Sequence, residues 1–539
     1  MGAQQNKLVG TRLNKLAIVH QELSNMVSPA EKLAQSLEKL QHLQDAGKIA
    51  IRSSDLTRIH RERLVKNGFL TEVMKGWYIP ARPDLLAGES TAWYASFWSF
   101  CADYLTVRFG YDWCLSPEQS LNLHVGNRTV PQQLIVRSSA GSNNITRLPQ
   151  NTSILDFNGA LPPKADIEQV EQLNLIRLPS ALISCSPNYF RNNSTDARAA
   201  LAMISDASEI LPLLLEGGHT IIAGRLAGGF RNIGRDRIAD DILKTMKGAD
   251  FDCREENPFV NTPSITFGRT DRSPYVNRVK LIWNDMRVPI LETFPKPPGL
   301  PQNIDNYLEQ VQEIYVTDAY HSLSIEGYRV SRELIEKVRL GSWNPDADEK
   351  DREHRDALAA RGYWQAYQAV RQSLKRVLAG ENAGLVADEE HGDWFRELFG
   401  PSVTAGILRP ADLAGYRSGQ VYIRHSIHVP PNVEAVRDMM PTFFELLQDE
   451  PEPEVRAVLG HFVFVYIHPY MDGNGRTGRF MMNLMLGSGG YPWTVIPVER
   501  RADYLSSLET ASTKHDIAPF AKFLAELVQK SIEGNPEAK

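Results

Sequence analysis

The chain has few cysteines and no long apolar run. Its 539 residues include four cysteines without a CxxC pair, which argues against a disulfide framework or a cysteine-based zinc site. The longest apolar runs, such as residues 462–467, are far shorter than the ~18 residues that a membrane span needs. The first residues have no apolar signal-peptide core. We therefore expect a soluble, cytoplasmic protein without a membrane partner.

The chain also lacks an excess of positive charge. It has 59 Lys and Arg residues against 65 Asp and Glu residues, which gives a formal net charge of −6 with neutral histidines. This balance excludes a globally basic protein that coats nucleic acid, but it leaves local basic patches open. The length corresponds to about three or four domains.

Proline clustering marks the clearest domain boundary. Four prolines stand within residues 295–301, and such a segment cannot continue a helix or a central strand. We predict a multidomain α+β protein with a winged-helix module at residues 1–83 and a mixed α/β region at residues 84–294. A Pro-rich linker at 295–301 then leads to a mainly α-helical domain with a β-hairpin flap at residues 302–539.

The first module has the pattern of a winged helix. Leucines at helical spacing predict a first helix that begins at Pro29. The candidate N-cap of the next helix is Ser53 or Ser54. Residues 68–80 then alternate between apolar and polar side chains, which predicts a hairpin. Residues 48–82 hold eight basic and three acidic residues, a net charge of +5. The basic residues expected near a recognition helix, and able to contact DNA phosphates, are Arg58, Arg61, Arg63 and Lys66. The alternative is a solvated basic face on a module that supports only folding or dimerisation.

The segment SSDLTRIHRERLVKNGFLTEVMKGWYIP resembles the N-terminal domain of AbiEi-type antitoxins and related regulators. A weaker resemblance continues through residues 116–131 and 231–259. The resemblance implies that the first module binds promoter DNA and that the AbiEi-like region after it supports regulation. No residue in this half of the chain demands catalytic chemistry.

A glycine-rich loop carries the strongest signal for chemistry, in the motif HPYMDGNGRTGR at residues 468–479. The nearly continuous apolar run before it predicts a buried helix that ends at His468, because a residue before proline is disfavoured in helical geometry. Helical spacing resumes after the loop, so the loop lies at a helix N-terminus, where the dipole attracts anions. Gly473 and Gly475 allow backbone N–H groups to turn toward such an anion.

The polar side chains of this motif suit phosphate chemistry. Arg476 and Arg479 lie three residues apart on one helix face and can bind phosphate oxygens. Asp472 can supply an oxygen ligand for Mg²⁺, and His468 can accept a proton near neutral pH. Together these residues predict phosphoryl or nucleotidyl transfer, in which positioning and charge neutralisation provide most of the catalysis.

The motif resembles the signature HPFx(D/E)GNGRxxR of the Fic family, with Tyr470 in place of Phe. The resemblance implies that the chain binds Mg·ATP and transfers AMP to a Ser, Thr or Tyr hydroxyl of a target protein or of itself. It implies that His468 is the general base and that Asp472 holds Mg²⁺. The residues implied to line the nucleotide site are Gly473, Asn474, Gly475, Arg476, Arg479 and Tyr504.

Two further details follow from the Fic resemblance. The related Doc kinases carry a lysine where Gly475 stands here, so AMP transfer is favoured over kinase activity. Residues 416–431 resemble the family's flap hairpin, which would align a target segment by strand addition around Val421 and Ile423. The alternatives are an ordinary edge hairpin and, for Tyr504, a core aromatic residue.

Residues 322–327, SLSIEG, fit the family's inhibitory pattern (S/T)xxxE(G/N). Ser322 and Glu326 share a helix face, and Gly327 suits a helix end. The resemblance implies that Glu326 pairs with Arg479, occupies the γ-phosphate position and keeps the enzyme autoinhibited. The alternative is an exposed glutamate at a helix end.

Other functions also remain open. One is a DNA-binding regulator or toxin–antitoxin-type switch that uses the nucleotide site as a sensor, and another is removal of AMP with the help of Glu326. The sequence does not encode the target, the activating signal or the oligomeric state, and a homo-oligomer is one of the options.

Overall fold

A computed structural model describes residues 28–81, 83, 91–259, 264–267, 273–341 and 355–538. The described chain is mostly helical, with small sheets of two, three and four strands. It divides into two compact units, and the described C-terminal half lies entirely in the second. The first unit comprises Met1–Cys114, Gln132–Leu161 and Gln169–Asn174, and the second comprises Leu115–Pro131, Pro162–Glu168 and Leu175–Lys539.

The described N-terminal segment forms two helices and a three-stranded antiparallel sheet in the order β1-β3-β2. Its elements are α1 (Pro29–Asp45), β1 (Ile51–Arg52), α2 (Arg58–Lys66), β2 (Leu70–Met74) and β3 (Trp77–Pro80). The cap of α2 is Thr57, whose side chain accepts from the N–H of His60. Ser53 and Ser54, the predicted caps, instead stand in the turn that follows β1. A small apolar core that includes Leu40, Leu64 and Leu70 joins the helices to the sheet.

Residues 91–176 contain both helices and strands, whereas the described residues between 177 and 294 form helices without strands, so the mixed α/β region predicted for 84–294 is shorter than expected. A helix rich in buried aromatic residues precedes a four-stranded sheet of order β4-β5-β7-β6, in which β5 and β7 are parallel. A two-stranded sheet of β8 and β9 follows. The elements are α3 (Thr91–Phe109), β4 (Cys114–Leu115), β5 (Gln133–Ser138), β6 (Asn144–Arg147), β7 (Ser153–Asn158), β8 (Ile167–Val170) and β9 (Leu173–Ile176).

The second unit is built from helices. Those that precede the Pro-rich segment are α4 (Pro117–His124), α5 (Leu178–Ser184), α6 (Pro187–Asn192), α7 (Ser194–Met203), α8 (Leu211–Glu216), α9 (Thr220–Asn232), α10 (Asp236–Gly248) and α11 (Pro274–Thr293). Those that follow it are α12 (Ile304–Ile325), α13 (Arg332–Arg339), α14 (Arg355–Leu378), α15 (Ala383–Thr404), α16 (Val433–Asp449), α17 (Pro453–Ile467), α18 (Asn474–Ser488), α19 (Arg501–Lys514) and α20 (Ala518–Ile532). One apolar core extends from Val279 on α11 to Val528 on α20.

The Pro-rich segment at residues 295–301 is extended, but it lies inside the second unit instead of separating two units. Gly299 donates to the Gly489 carbonyl at 3.0 Å, and the Tyr491 hydroxyl donates to the Pro295 carbonyl at 2.6 Å. The helix before this segment, α11, contributes to the same core as the helices after it. The segment is therefore a packed connection, and the helical unit begins before residue 302.

No helix in the described ranges combines the length and apolar character needed to cross a membrane.

Candidate active site

The candidate site is the loop between α17 and α18. Pro453 at the start of α17 and Glu454 in its first turn favour helix initiation, and almost every later residue of α17 is buried. The helix ends at His468, whose backbone is left-handed with φ of 55° and ψ of 59°. Gly473, with φ of 80°, then starts α18. A left-handed residue other than glycine is costly, and such strain is concentrated at functional sites.

The imidazole of His468 is held in one orientation. Its Nδ1 lies 3.1 Å from the Val465 carbonyl oxygen, and because a carbonyl only accepts, Nδ1 carries the proton. Burial lowers the pKa of His468 to about 4, so the ring is neutral at pH 7. The unprotonated Nε2 is then ready to accept a proton.

Asn474 holds the loop closed. Its side chain donates to the Tyr470 carbonyl at 2.8 Å and accepts from the Tyr470 N–H at 2.9 Å. The Tyr470 ring stacks on Phe395 at a centroid distance of 3.9 Å, so the aromatic anchor expected in the loop is present. The amide of Asn474 is thus engaged within the loop, and a phosphate contact from this residue would use its backbone N–H.

Arg476 is buried between two aromatic rings. Its guanidinium carbon lies 4.9 Å from the Phe399 centroid and 5.3 Å from the Tyr328 centroid. One Nη atom of Arg476 lies 3.4 Å from Oδ1 of Asp472. The buried Nε of Arg476 has no hydrogen-bond partner among the described residues. Leaving a buried donor unpaired costs about 1–3 kcal/mol, which an anionic ligand would offset.

Arg479 binds the predicted inhibitory segment. Its Nε donates to the Ser322 hydroxyl at 2.9 Å, and one Nη donates to the Ser322 carbonyl at 3.0 Å and to Glu326 Oε1 at 2.8 Å. Glu326 caps the C-terminus of α12, and Gly327 follows with φ of 89°. Desolvation alone would raise the pKa of Glu326, whose side chain is 33% exposed, but the charges of Arg479 and Arg476 outweigh it and lower the pKa. Glu326 is therefore ionised at neutral pH.

The carboxylate of Glu326 lies directly against Gly475 in the first turn of α18. A Cβ atom placed on Gly475 would stand only 2.3 Å from Glu326 Oε1. The position is one that a helix N-terminus makes favourable for an anion. Glu326 thus supplies a negative group at the place where the sequence predicts a phosphate.

Asp472 is more accessible than the arginines. Its side chain is 62% exposed, and its Oδ1 accepts from the N–H of Gly473 at 2.5 Å. Because a carboxylate has two oxygens with several lone pairs, Asp472 keeps acceptor capacity for a cation.

A cavity of about 360 Å³ is lined by some of these groups, but not by Asp472, Asn474 or Arg476. Its wall includes His468, Gly475, Arg479, Glu326 and, from α19, Tyr504. The Tyr504 hydroxyl lies 2.7 Å from Nε2 of His461, and burial raises the pKa of Tyr504 to about 12. Tyr504 is thus both a buried aromatic and part of the cavity wall. The volume lies in the range of small-molecule sites.

The flap segment, residues 416–431, does not form the predicted β-hairpin. It contains a turn at residues 424–425 and no strand. Ile423 lines the cavity, whereas Val421 is only 7% exposed and does not line it. The segment has no strand pairing, and a side chain of α19 bonds to it instead. Glu509 accepts hydrogen bonds from the N–H of Ile427 at 3.0 Å and from the Ser426 hydroxyl. The predicted strand formation is therefore wrong for this segment, and the alignment of a target by Val421 and Ile423 stays a prediction.

The basic residues predicted to contact DNA occupy different environments. Arg63 donates to the Ser36 hydroxyl on α1 at 2.8 Å, so it joins the two helices of its own module. Arg61 donates to a backbone carbonyl at 2.8 Å, and Arg58 pairs with a glutamate of its own helix at 2.6 Å. Lys66 is exposed. Arg63 thus packs within its own module. Fewer basic side chains on α2 are therefore free of protein partners than the sequence predicts.

One residue in direct contact with the loop was missed by the sequence reasoning. Arg417 is 1% exposed, and its Nε donates to the carbonyl of His468 at 2.8 Å. In the sequence it lies between an aromatic and a polar residue and belongs to no motif, which is typical of a solvent-exposed arginine. Only its burial distinguishes it.

Residues 393–486 match the model of the Fic/DOC family. This range holds the whole loop and most of the two helices beside it, so the similarity falls within the second unit. Among similar curated proteins is "Protein adenylyltransferase Fic" of Nematostella vectensis, 30% identical over 267 residues that cover 49% of this chain and 58% of that protein. The protein of the same name in Drosophila willistoni is 29% identical over 226 residues, with 41% and 42% covered.

The chain therefore spans about half the length of these curated relatives. A solved structure of Fic-1 from C. elegans aligns at 20% identity, covering 61% of this chain and 91% of that chain, with a TM-score of 0.36.

Proposed function

We propose that this chain is a protein adenylyltransferase that transfers AMP from Mg·ATP to a Ser, Thr or Tyr hydroxyl of a target protein or of itself. The observation that carries the proposal is a cavity lined by a neutral histidine, His468, together with Arg479 and with Gly475 from the first turn of α18. The names of the similar curated proteins support the same activity.

The site suits the phosphates of ATP, the substrate. Gly475 leaves room that a Cβ would fill, Glu326 already places an anion there, and Arg476 keeps an unpaired buried donor. Arg479 and Arg476 would bind phosphate oxygens, and the backbone N–H groups of α18 would add dipole stabilisation. Tyr504 and Ile423 would contact the remaining parts of the nucleotide or target through the cavity wall.

Catalysis would depend on proton transfer to His468. As the target hydroxyl oxygen attacks the α-phosphorus, Nε2 of His468 takes its proton, and the bond to the bridging oxygen breaks so that pyrophosphate leaves. Asp472 is the carboxylate that would hold Mg²⁺, and the ion would neutralise phosphate charge. Asn474 contributes by keeping the loop in shape, through its two bonds to Tyr470.

Glu326 would hold this enzyme in an inhibited state. Its carboxylate both pairs with Arg479 and fills the space at Gly475, so ATP phosphates must displace it to bind productively. Replacement by glycine removes the carboxylate and frees Arg479. The same carboxylate could instead orient a water for removal of AMP, which is the reverse reaction.

The N-terminal elements support a second, regulatory part of the proposal. Their order of helix, strand, helix and hairpin, with a three-stranded sheet, is that expected of a winged helix. Arg58 and Lys66 on the exposed side of α2 would contact DNA phosphates. A mobility-shift assay with the chain's own upstream DNA, comparing wild type with the double variant Arg58→Ala and Lys66→Ala, tests this part. Equal shifts would contradict it.

Labelled ATP tests the catalytic proposal. The Glu326→Gly variant is incubated with Mg²⁺, a cell lysate and ATP labelled at either the α- or the γ-phosphate. We expect incorporation of the α-label alone, and more of it than with wild type. Adding His468→Ala should abolish it. Incorporation of the γ-label would indicate a kinase, and undiminished labelling with His468→Ala would refute the assignment of the base.

A further inference from the structure

Arg417, at the start of the flap segment, is a buried cation that binds backbone carbonyls. Its Nε donates to the His468 carbonyl at 2.8 Å, one Nη donates to the Gly419 carbonyl at 3.1 Å, and the other donates to the Pro431 carbonyl. Its own backbone N–H donates to the Pro469 carbonyl at 2.8 Å. One side chain thus reaches the catalytic loop and both ends of the flap segment.

Such a burial is costly. The effective penalty for burying an ion in a protein is several kcal/mol unless other groups compensate it. Burial lowers the pKa of the Arg417 guanidinium to about 10, so the group remains charged at neutral pH. In the described chain, the three carbonyl oxygens that accept its hydrogen bonds compensate for this burial.

The geometry of the guanidinium explains why arginine is used here. Its planar fork presents donors in several fixed directions, whereas lysine has a compact ammonium group on a flexible stem. Gly419 and Pro431 stand near the two ends of the flap segment, and Pro431 has no N–H with which to pair the ends as strands. His468 caps the C-terminus of α17, where backbone carbonyls lack partners within the helix.

We propose that Arg417 is a positioning residue of this active site. It fixes the backbone of His468 relative to Gly419 and Pro431, which lie near the two ends of the flap segment. The proposal rests on the proposed AMP transfer. Ile423 in the flap segment and His468 line the same cavity, so a shared anchor sets the distance between the general base and any target held by the flap segment. Arg417 touches no reacting atom.

The same residue acts on His468 electrostatically. The charged groups that face the imidazole are Arg417 from the flap segment, Glu326 from α12 and Asp472 from the loop. Burial is the largest cause of the lowered pKa of His468; the charge of Arg417 lowers it further, whereas the two carboxylates raise it. Removing the charge at position 417 should therefore raise the pKa of His468.

The test compares Arg417→Lys and Arg417→Met in the Glu326→Gly background. Since misplacement of a reacting group by 1 Å can cost about 100-fold, we expect kcat for AMP transfer to fall by about 10- to 100-fold in both variants. The KM for ATP should change by less than about threefold, because no phosphate contact is altered. The matched control is Arg456→Lys, since Arg456 also donates to backbone carbonyls, at the opposite end of α17.

A second measurement does not depend on transfer. An NMR titration of the His468 imidazole should show a higher pKa in Arg417→Met and a nearly unchanged pKa in Arg417→Lys, which keeps the charge. If Glu326→Gly itself transfers no AMP, the proposed function fails while this titration still tests Arg417. Unchanged kcat in both variants, or loss of ATP binding and of thermal stability in parallel with kcat, would overturn the positioning role.

Discussion

Arg278 donates from Nε to the hydroxyl of Tyr466 at 2.7 Å, two residues before the catalytic loop begins at His468. The same guanidinium pairs with Asp196 on α7 and contacts Nε2 of His515 at 3.1 Å. Arg278 and Asp196 are each 1% exposed. Both precede the residues that match the Fic family, so part of the support for the catalytic loop comes from outside the matched region.

Tyr466→Phe should weaken this support without removing the ring. The buried Arg278 would lose one acceptor, and hydrogen bonds to charged groups contribute about 1.5–3 kcal/mol. We expect a lower free energy of unfolding and a reduced rate of AMP transfer in the Glu326→Gly background, measured by denaturant titration and α-label incorporation. Tyr367→Phe is the control, because its hydroxyl donates to a backbone carbonyl at 2.6 Å in the same core. Equal loss of transfer in both variants would argue against a specific role of Tyr466.

The pH dependence of transfer should reflect the lowered pKa of His468. Because burial favours the neutral imidazole, the base stays competent as pH falls from 8 to about 6 and is protonated only near its pKa of about 4. The kcat/KM of Glu326→Gly should therefore be nearly flat over the upper range and decline toward the pKa. Stability at each pH is checked by circular dichroism. An acid limb centred at 6.5 or above would contradict the buried, neutral base.

Gly475→Ala should impair nucleotide binding. The added Cβ would stand 2.3 Å from Glu326 Oε1, and in the Glu326→Gly background it would instead fill the space expected to receive a phosphate. We expect the affinity for ATP, measured by calorimetry in that background, to fall by about tenfold or more, the loss of roughly 1.4 kcal/mol.

Gly400→Ala is the control for this change. Gly400 also lies within a helix, and a Cβ there meets nothing within 4 Å. ATP binding should be unaffected by it. Retained ATP affinity in Gly475→Ala would place the phosphates elsewhere.

Asp318 should make the free energy of unfolding depend on pH. This buried carboxyl accepts from the Tyr363 hydroxyl at 2.6 Å and from Trp493 Nε1 at 3.2 Å, and burial raises its pKa from 3.8 to about 6. A raised carboxyl pKa means that the folded state binds the proton more tightly, so this group's contribution to stability declines as pH rises from about 4 to about 6. Asp318→Asn should lack that decline in denaturant unfolding. Parallel curves for the two proteins would contradict it.

The conformation of the loop at residues 468–479 could be predicted because its signals are local. The apolar run of α17, the proline after His468 and the glycines at 473 and 475 lie within a short stretch, and each restricts the backbone directly. The contact between Glu326 and Arg479 joins distant parts of the chain, and only the resemblance to the Fic family indicated it. The structure places them 2.8 Å apart.

Contacts made by buried arginines could not be predicted. Arginine is usually exposed, so nothing in the sequence separates Arg417 and Arg278, each 1% exposed, from solvated charges. The same limit explains Arg63, which has the sequence context of a DNA-contacting side chain but donates to Ser36. The hydrogen bond from the Asn474 amide to the Tyr470 carbonyl could not be predicted from the sequence either. An asparagine at a helix start can act as a cap or contact a ligand.

The packing of α11 determines where the catalytic part of this chain can be cut. Val279, Ile282 and Trp283 of α11 belong to the core that also contains α17 and α18. A recombinant fragment that begins at residue 302 would expose to water the core side chains that pack against α11. It would also remove Arg278, which donates a hydrogen bond to the Tyr466 hydroxyl. A transplantable catalytic unit therefore has to carry α11, and with it Asp196 on α7, although the family match begins only at residue 393.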